Sequence, residues 1–103
     1  MRLVNILREE REFSLYQALV RVGHKDEITA SQVADFVRAM PGVTRVTAIG
    51  SNEDINTVIL KVKILTAKQP LLVFEKLKKD TFRLVPNIKK VDLSVKSIEK
   101  VSR

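Results

Sequence analysis

The chain of 103 residues contains no cysteine, so it forms no disulfide and offers neither a thiolate ligand nor a cysteine nucleophile. Glycine and proline are scarce, at three residues each, which excludes a glycine-rich loop that cradles phosphates. No apolar run approaches the roughly 18 residues that can span a membrane, and the first residues lack the apolar core of a signal peptide. We therefore expect no membrane partner and a cytoplasmic location.

Side chains that could carry catalysis or bind metal are few. The one histidine, His24, lies in a predicted polar loop at residues 23–27 without further ligands at suitable spacing. The acidic pairs Asp26/Glu27 and Glu53/Asp54 indicate turns first, with a hard-cation site as the alternative. Motifs of nucleotide-binding proteins, zinc proteases and serine hydrolases are absent. We expect a surface histidine, no metal, no cofactor and no enzymatic activity.

The net charge of +7 is concentrated in the C-terminal half of the chain. Residues 53–88 hold seven basic against four acidic side chains, and residues 89–103 hold five against two. Such an excess favours an acidic protein or a nucleic acid as partner, but a solvated basic surface is the simpler explanation.

The first predicted helix has a clear beginning and a clear end. Thr29 and Gln32 have the spacing of a capping box, which satisfies two backbone N–H groups that lack partners inside the helix. Apolar residues then recur at helical spacing as far as Met40, where Pro41 and Gly42 end the helix.

Alternating apolar and polar residues predict four strands, at residues 13–22, 43–49, 56–65 and 88–98. A second helix begins at Pro70, and its apolar side is expected to hold Leu71, Val73, Phe74, Leu77 and Phe82. Residues 1–12 read as a short amphipathic lead, and residues 13–103 as one domain. The side chains predicted to point inward from the strands are Tyr16, Ala18, Val20, Val22, Val46, Ala48, Val58, Leu60, Val62, Ile64, Val91, Leu93 and Val95.

The two halves of the chain repeat one pattern at an offset of 44 to 45 residues. Residues 41–46 align with residues 86–91, and the strands at 13–22 and 56–65 keep the same apolar face. Two strand–helix–strand units in tandem predict the α+β, ferredoxin-like βαββαβ fold, a four-stranded antiparallel sheet with two helices on one face. We further expect right-handed crossovers to set the first and third strands parallel in the centre, with the second and fourth as antiparallel edges.

Two resemblances accompany this pattern. The segment Met40-Pro41-Gly42-Val43-Thr44-Arg45-Val46 resembles the helix-to-strand turn of ligand-sensing domains of the ACT and Lrp type, which implies a small-ligand-sensing regulatory domain. The chain as a whole also resembles small proteins of bacteriophage and marine metagenomic origin, which would make it virion-associated. Acylphosphatases share the predicted fold, but residues 22–27 do not match their phosphate loop, and the predicted outward face lacks the stacking aromatics of RNA-recognition domains.

The outward face of the predicted sheet is the best candidate for a functional surface. Six apolar residues on one sheet face favour self-association into a homo-oligomer, whereas basic residues there favour phosphate contacts. We expect a small non-catalytic protein-interaction or structural module, with nucleic-acid binding and ligand sensing as alternative functions. The apolar residues of the face have an alternative explanation, in which the lead segment at residues 1–12 folds over part of it. The candidate interface residues are Leu15, Leu19, Ile49, Ile59, Leu65 and Ile98, and the candidate basic contacts are Arg45, Lys61, Lys63, Lys89, Lys90 and Lys96.

Overall fold

The computed structural model describes residues 13–52 and 55–101, so the predicted lead at residues 1–12 lies outside the described residues. The order of strands and helices confirms the predicted ferredoxin-like α+β fold. Neither of the helices in the described part of the chain is long and apolar enough to cross a membrane. The elements are β1 (Ser14–His24), α1 (Ala30–Arg38), β2 (Val43–Asn52), β3 (Thr57–Thr66), α2 (Pro70–Leu84) and β4 (Ile88–Val101).

The sheet has four strands in the order β2-β3-β1-β4, and every neighbouring pair is antiparallel. The predicted parallel alignment of β1 and β3 is therefore wrong. The crossover through α1 makes β1 and β2 parallel to each other, but it leaves a gap between them that β3 fills. Because β3 follows β2 through a hairpin, it runs antiparallel to β2 and hence also to β1.

The predicted capping box at the start of α1 is confirmed. The hydroxyl of Thr29 accepts a hydrogen bond from the backbone N–H of Gln32 at 3.2 Å, and the Gln32 side-chain oxygen accepts one from the Thr29 N–H at 2.9 Å. Val33, Ala34 and Val37 follow on the buried side of the helix. The cap thus fixes the start of a short helix whose apolar stripe packs on the sheet.

The two repeated turns share a left-handed residue at the same position of the repeat. Gly42 and Asn87 both adopt left-handed conformations, with φ of 83° and 62°. The carbonyl of Gly42 accepts a hydrogen bond from the N–H of Leu65 at 3.0 Å, and that of Asn87 accepts one from Lys25 at 2.8 Å. Each turn is therefore tied to the C-terminal end of the neighbouring central strand, so the sequence repeat is also a structural one.

The buried side of α2 differs from the prediction at Leu71 and Phe82. Phe74, Leu77 and Thr81 are buried, whereas Phe82 is 55% exposed and Leu71 is 40% exposed. Residues three and four apart share a helix face, so Thr81 continues the stripe from Phe74 and Leu77 and Phe82 cannot. The Thr81 hydroxyl donates to the carbonyl of Leu77 at 2.8 Å, which makes its burial inexpensive.

The core lies between the helices and one face of the sheet. The inward positions predicted for β1 and β3 are confirmed as part of the core, where Tyr16 is only partly buried. On the two edge strands the prediction fails at Ala48, which is exposed, and at Val95, which is 53% exposed. Both edge strands carry register shifts, and their solvent-facing edges bury less surface than the central strands do.

Candidate functional site

The side of the sheet that faces away from both helices is the candidate site, and we call it the open face. The core cluster joins helix residues such as Val33 and Phe74 to strand residues such as Val20 and Leu60, so both helices cover the opposite side. Within residues 13–52 and 55–101, no helix or strand packs over the open face. Strand register assigns to it Arg45 and Thr47 on β2, Ile59, Lys61, Lys63 and Leu65 on β3, Leu15, Gln17, Leu19 and Arg21 on β1, and Lys90, Asp92, Ser94, Glu99 and Val101 on β4.

One end of the open face is apolar. Leu15 on β1 lies directly opposite Leu65 on β3 and, on its other side, opposite Val101 on β4. Leu65 is 40% exposed, and Leu15 and Val101 are half-buried. Directly opposite side chains in neighbouring antiparallel strands lie within contact distance of one another. The three residues therefore form a continuous apolar row across three strands.

The adjacent row is charged, and its charge changes sign from one edge of the sheet to the other. Arg45 on β2 is opposite Lys63 on β3, which is opposite Gln17 on β1, which is opposite Glu99 on β4. The side-chain amide of Gln17 donates a hydrogen bond to the carboxylate of Glu99. This bond holds the carboxylate above the face, at the far edge from the two cations.

Beyond this row the charges on the β4 side of the open face are mixed. Lys61 lies one row further on β3, whereas Asp92 lies on β4 and forms an ion pair with Lys90 at 3.6 Å. The β2–β3 side therefore carries Arg45, Lys61 and Lys63, whereas both acidic residues of the face lie on β4, where the cations Lys90 and Arg21 flank Asp92. Exposed ion pairs contribute little to stability, so this layout matters mainly for what the face can bind.

Four of the six predicted interface residues lie on the open face: Leu15, Leu19, Ile59 and Leu65. Ile49 falls in a register shift of β2 and is 50% exposed, without a strand partner of its own. The assignment of Ile98 to this face is wrong, because Ile98 packs against the core on the helix side. The role of the remaining residues as an interface stays a prediction.

A bulge in β4 causes the reversal of Ile98. Gln17 pairs with Glu99 but Leu19 pairs with Ser94, so four residues of β4 span a single residue of β1. This shift by an odd number of residues exchanges the two faces of the strand. The hydroxyl of Ser97 accepts a hydrogen bond from the Leu19 N–H at 2.8 Å and donates one to the Ser94 carbonyl at 2.6 Å. Simple alternation along β4 cannot reveal such a bulge.

The predicted basic contacts divide into two groups. Arg45, Lys61 and Lys63 lie together on the open face. Lys89 and Lys90 both line a groove beside α2, and Lys90 also lies at the edge of the open face. Lys96 is exposed within the β4 bulge. Only the first three thus form a compact basic group.

His24 is not the surface residue that its polar neighbours predict. It is the last residue of β1 and only 7% exposed. Its Nδ1 lies 3.1 Å from the carbonyl of Lys25, and its backbone N–H donates to the carbonyl of Asn56 at 2.8 Å. The ring therefore lies at the C-terminal end of the central strand β1. Within the described residues, no group of three potential metal ligands surrounds it or any other site.

An apolar groove of about 520 Å³ lies between α2 and the end of β3. Met40, Pro41 and Gly42 of the repeated turn line it, together with Leu65 and Leu72. The turn that resembles ligand-sensing domains therefore borders the groove. Leu65 contributes to both the groove and the open face.

The comparison with protein-family models gave no match for this chain, and no curated protein matches it.

Proposed function

We propose that this protein is a small non-catalytic interaction module that associates with a second copy of itself through the open face. The observation that carries the proposal is the apolar row formed by Leu15, Leu65 and Val101 on a sheet face that the helices leave uncovered. Apolar side chains that are grouped on a surface and rimmed by polar ones are typical of protein–protein contacts.

The open face has sufficient area for such a contact. The paired region of β1 from Leu15 to Gly23 is about 26 Å long, and four strands are about 19 Å wide. The face therefore covers roughly 500 Å² in projection, and two such faces together reach the roughly 1,000 Å² that a specific interface needs.

The composition of the open face favours a protein partner over a nucleic acid. No aromatic side chain lies among its paired residues, so bases would find no stacking platform. On the β4 side Glu99 would repel phosphates, and Asp92 forms an ion pair with Lys90, the cation of that strand on this face. A surface that carries apolar residues and both charge signs is better suited to another protein surface.

The proposal is tested by size-exclusion chromatography with light scattering on the wild-type chain, Leu15→Glu and Leu84→Glu. The control residue, Leu84, is 62% exposed at the end of α2, on the helix side of the sheet. We expect the wild type and the Leu84 variant to be dimers at tens of micromolar, and the Leu15 variant to be a monomer. A monomeric wild type, or an equal loss of dimer in both variants, would count against self-association through the open face.

A second candidate function is nucleic-acid binding by Arg45, Lys61 and Lys63, which lie on adjacent strands. It is favoured by the overall charge of +7. Retention of mixed oligonucleotides should then fall steeply with salt and be lost in Lys61→Ala/Lys63→Ala, with Lys78→Ala/Lys79→Ala on α2 as the charge-matched control. Absence of retention at low salt excludes this candidate.

Ligand sensing is a third candidate, and the apolar groove beside the turn at Met40-Pro41-Gly42 favours it. Such a groove would take a small, largely apolar molecule. A melting temperature that rises with an apolar probe such as indole, and no longer rises in Leu72→Glu, would support it.

A further inference from the structure

We propose that the two copies pack face to face about a two-fold axis that runs parallel to the strands, above the seam between β1 and β3. In this arrangement Arg45 of each copy meets Glu99 of the other. The inference rests on the proposed self-association and adds which residues meet. It is drawn from the distribution of charge and apolar side chains in the rows of the open face.

Under this two-fold axis the charged rows of the two copies face each other. A two-fold axis parallel to the strands places each row over the same row of the second copy, read in the opposite direction. The row Arg45, Lys63, Gln17, Glu99 then faces Glu99, Gln17, Lys63, Arg45. Each copy thus sets its outermost cation over the carboxylate of the other, and its Lys63 over a neutral amide. The row is complementary to itself because its charge changes sign across the sheet.

The apolar residues match under the same operation. Leu15 and Leu65 lie on either side of the seam, so Leu15 of one copy covers Leu65 of the other, and the reverse. In the next but one row Lys61 covers Leu19, where its aliphatic stem can pack while the ammonium group reaches the rim. Sheets that pack face to face cross at about 30°, and the long side chains of Arg45 and Glu99 span the resulting offset.

The other aligned packing, with the axis perpendicular to the strands, brings like charges together. It reverses the order of the rows instead of their direction. With the axis over the row of Leu19 and Lys61, the middle row of the paired region, Glu99 of one copy lies over Asp92 of the other. Lys61 then lies over its own symmetry mate. Juxtaposed like charges in a desolvated contact oppose association. When the two faces overlap fully in this way, only the axis parallel to the strands joins opposite charges.

A charge exchange separates the two packings. With the axis parallel to the strands, Arg45→Glu and Glu99→Arg each place like charges together and should raise the dimer dissociation constant about tenfold or more. The double variant Arg45→Glu/Glu99→Arg restores opposite charges and should return close to the wild-type value. Thr47→Glu, on the same strand and face as Arg45, is the control for added negative charge. If the double variant instead loses as much dimer affinity as the two single variants combined, the proposed axis is wrong.

Cross-linking gives an independent result, since the chain has no cysteine of its own. Residues 45 and 99 lie on opposite edges of one sheet, about 14 Å apart, which is beyond the reach of a disulfide or of the shortest bis-maleimide linkers within one copy. A mixture of Arg45→Cys and Glu99→Cys chains should form mixed cross-linked dimers, while either variant alone should not. If Leu15→Glu abolishes the dimer but the mixed cross-link does not form, the proposed axis is wrong and the proposed function still stands. If all variants are monomers, both fail.

Discussion

Leu15 and Leu65 lie directly opposite each other on the face of the sheet that both helices leave uncovered. On one side of this pair Val101 extends the apolar row, and the next row carries charges of opposite sign at its two ends. The pair thus belongs to the apolar end of the surface through which we propose that two copies associate.

Stability should depend on protein concentration, because native chains associate into dimers and unfolded chains do not. We expect the melting temperature of the wild type to rise as its concentration is raised from micromolar to hundreds of micromolar. Leu65→Asp should abolish this rise, since it places a carboxylate in the apolar row. The measurement is differential scanning calorimetry at several concentrations. A wild-type melting temperature that does not change with concentration would speak against the dimer.

The bulge of β4 should depend on the hydroxyl of Ser97. Ser97→Ala leaves the Leu19 N–H without its acceptor, and we expect a loss of about 1–3 kcal/mol in the free energy of unfolding. Ser94→Ala is the matched control, since Ser94 contributes its backbone carbonyl to the bulge and alanine keeps that group. Urea denaturation followed by circular dichroism gives both values. Equal values for the two variants would mean that the hydroxyl does not support the bulge.

The capping box of α1 predicts a second stability effect. Thr29→Ala removes the acceptor for the Gln32 N–H and should cost about 1 kcal/mol of the free energy of unfolding. Ser31→Ala, at an exposed position in the first turn of the same helix, should cost less, because alanine is the better helix former. The same urea titration measures both, and a greater loss in the Ser31 variant would contradict the role of the cap.

The two repeated turns should respond differently to substitution. Gly42→Ala places a side chain at a φ of 83°, where its Cβ would meet only the Leu65 carbonyl at 3.9 Å, so the cost is backbone strain of about 1–2 kcal/mol. Asn87→Gly keeps the left-handed conformation accessible and should change stability by a few tenths of a kcal/mol at most. Chemical denaturation of both variants checks this. A harmless Gly42→Ala would show that the turn relaxes to another conformation.

The sequence is sufficient to predict the order of elements, because the capping box at Thr29 and the two turns at Gly42 and Asn87 are local signals. Alternation is equally reliable on β1 and β3, whose central position buries one complete face of each strand. The direction of β3 relative to β1 follows from the hairpin that joins β2 to β3 and not from any local pattern. The prediction of parallel strands was wrong because it did not take the reversal at this hairpin into account.

The parts of the site that the sequence misses depend on distant contacts. The reversal of Ile98 results from a shift in pairing between β1 and β4, and Ser97 gives only a weak local signal of it. His24 has polar neighbours along the chain, yet the hairpin and the start of β4 bury it. The row from Arg45 to Glu99 exists only once four strands are in register, so its change of sign is not visible in the sequence.

Sedimentation equilibrium of the wild-type chain tests self-association through the open face most directly when Leu15→Glu is run beside it. We expect the wild type to approach twice the mass of one chain at tens of micromolar, and Leu15→Glu to stay at the mass of one chain under the same conditions. A wild type with the mass of one chain at hundreds of micromolar, or a Leu15→Glu variant that dimerises as strongly as the wild type, would contradict it.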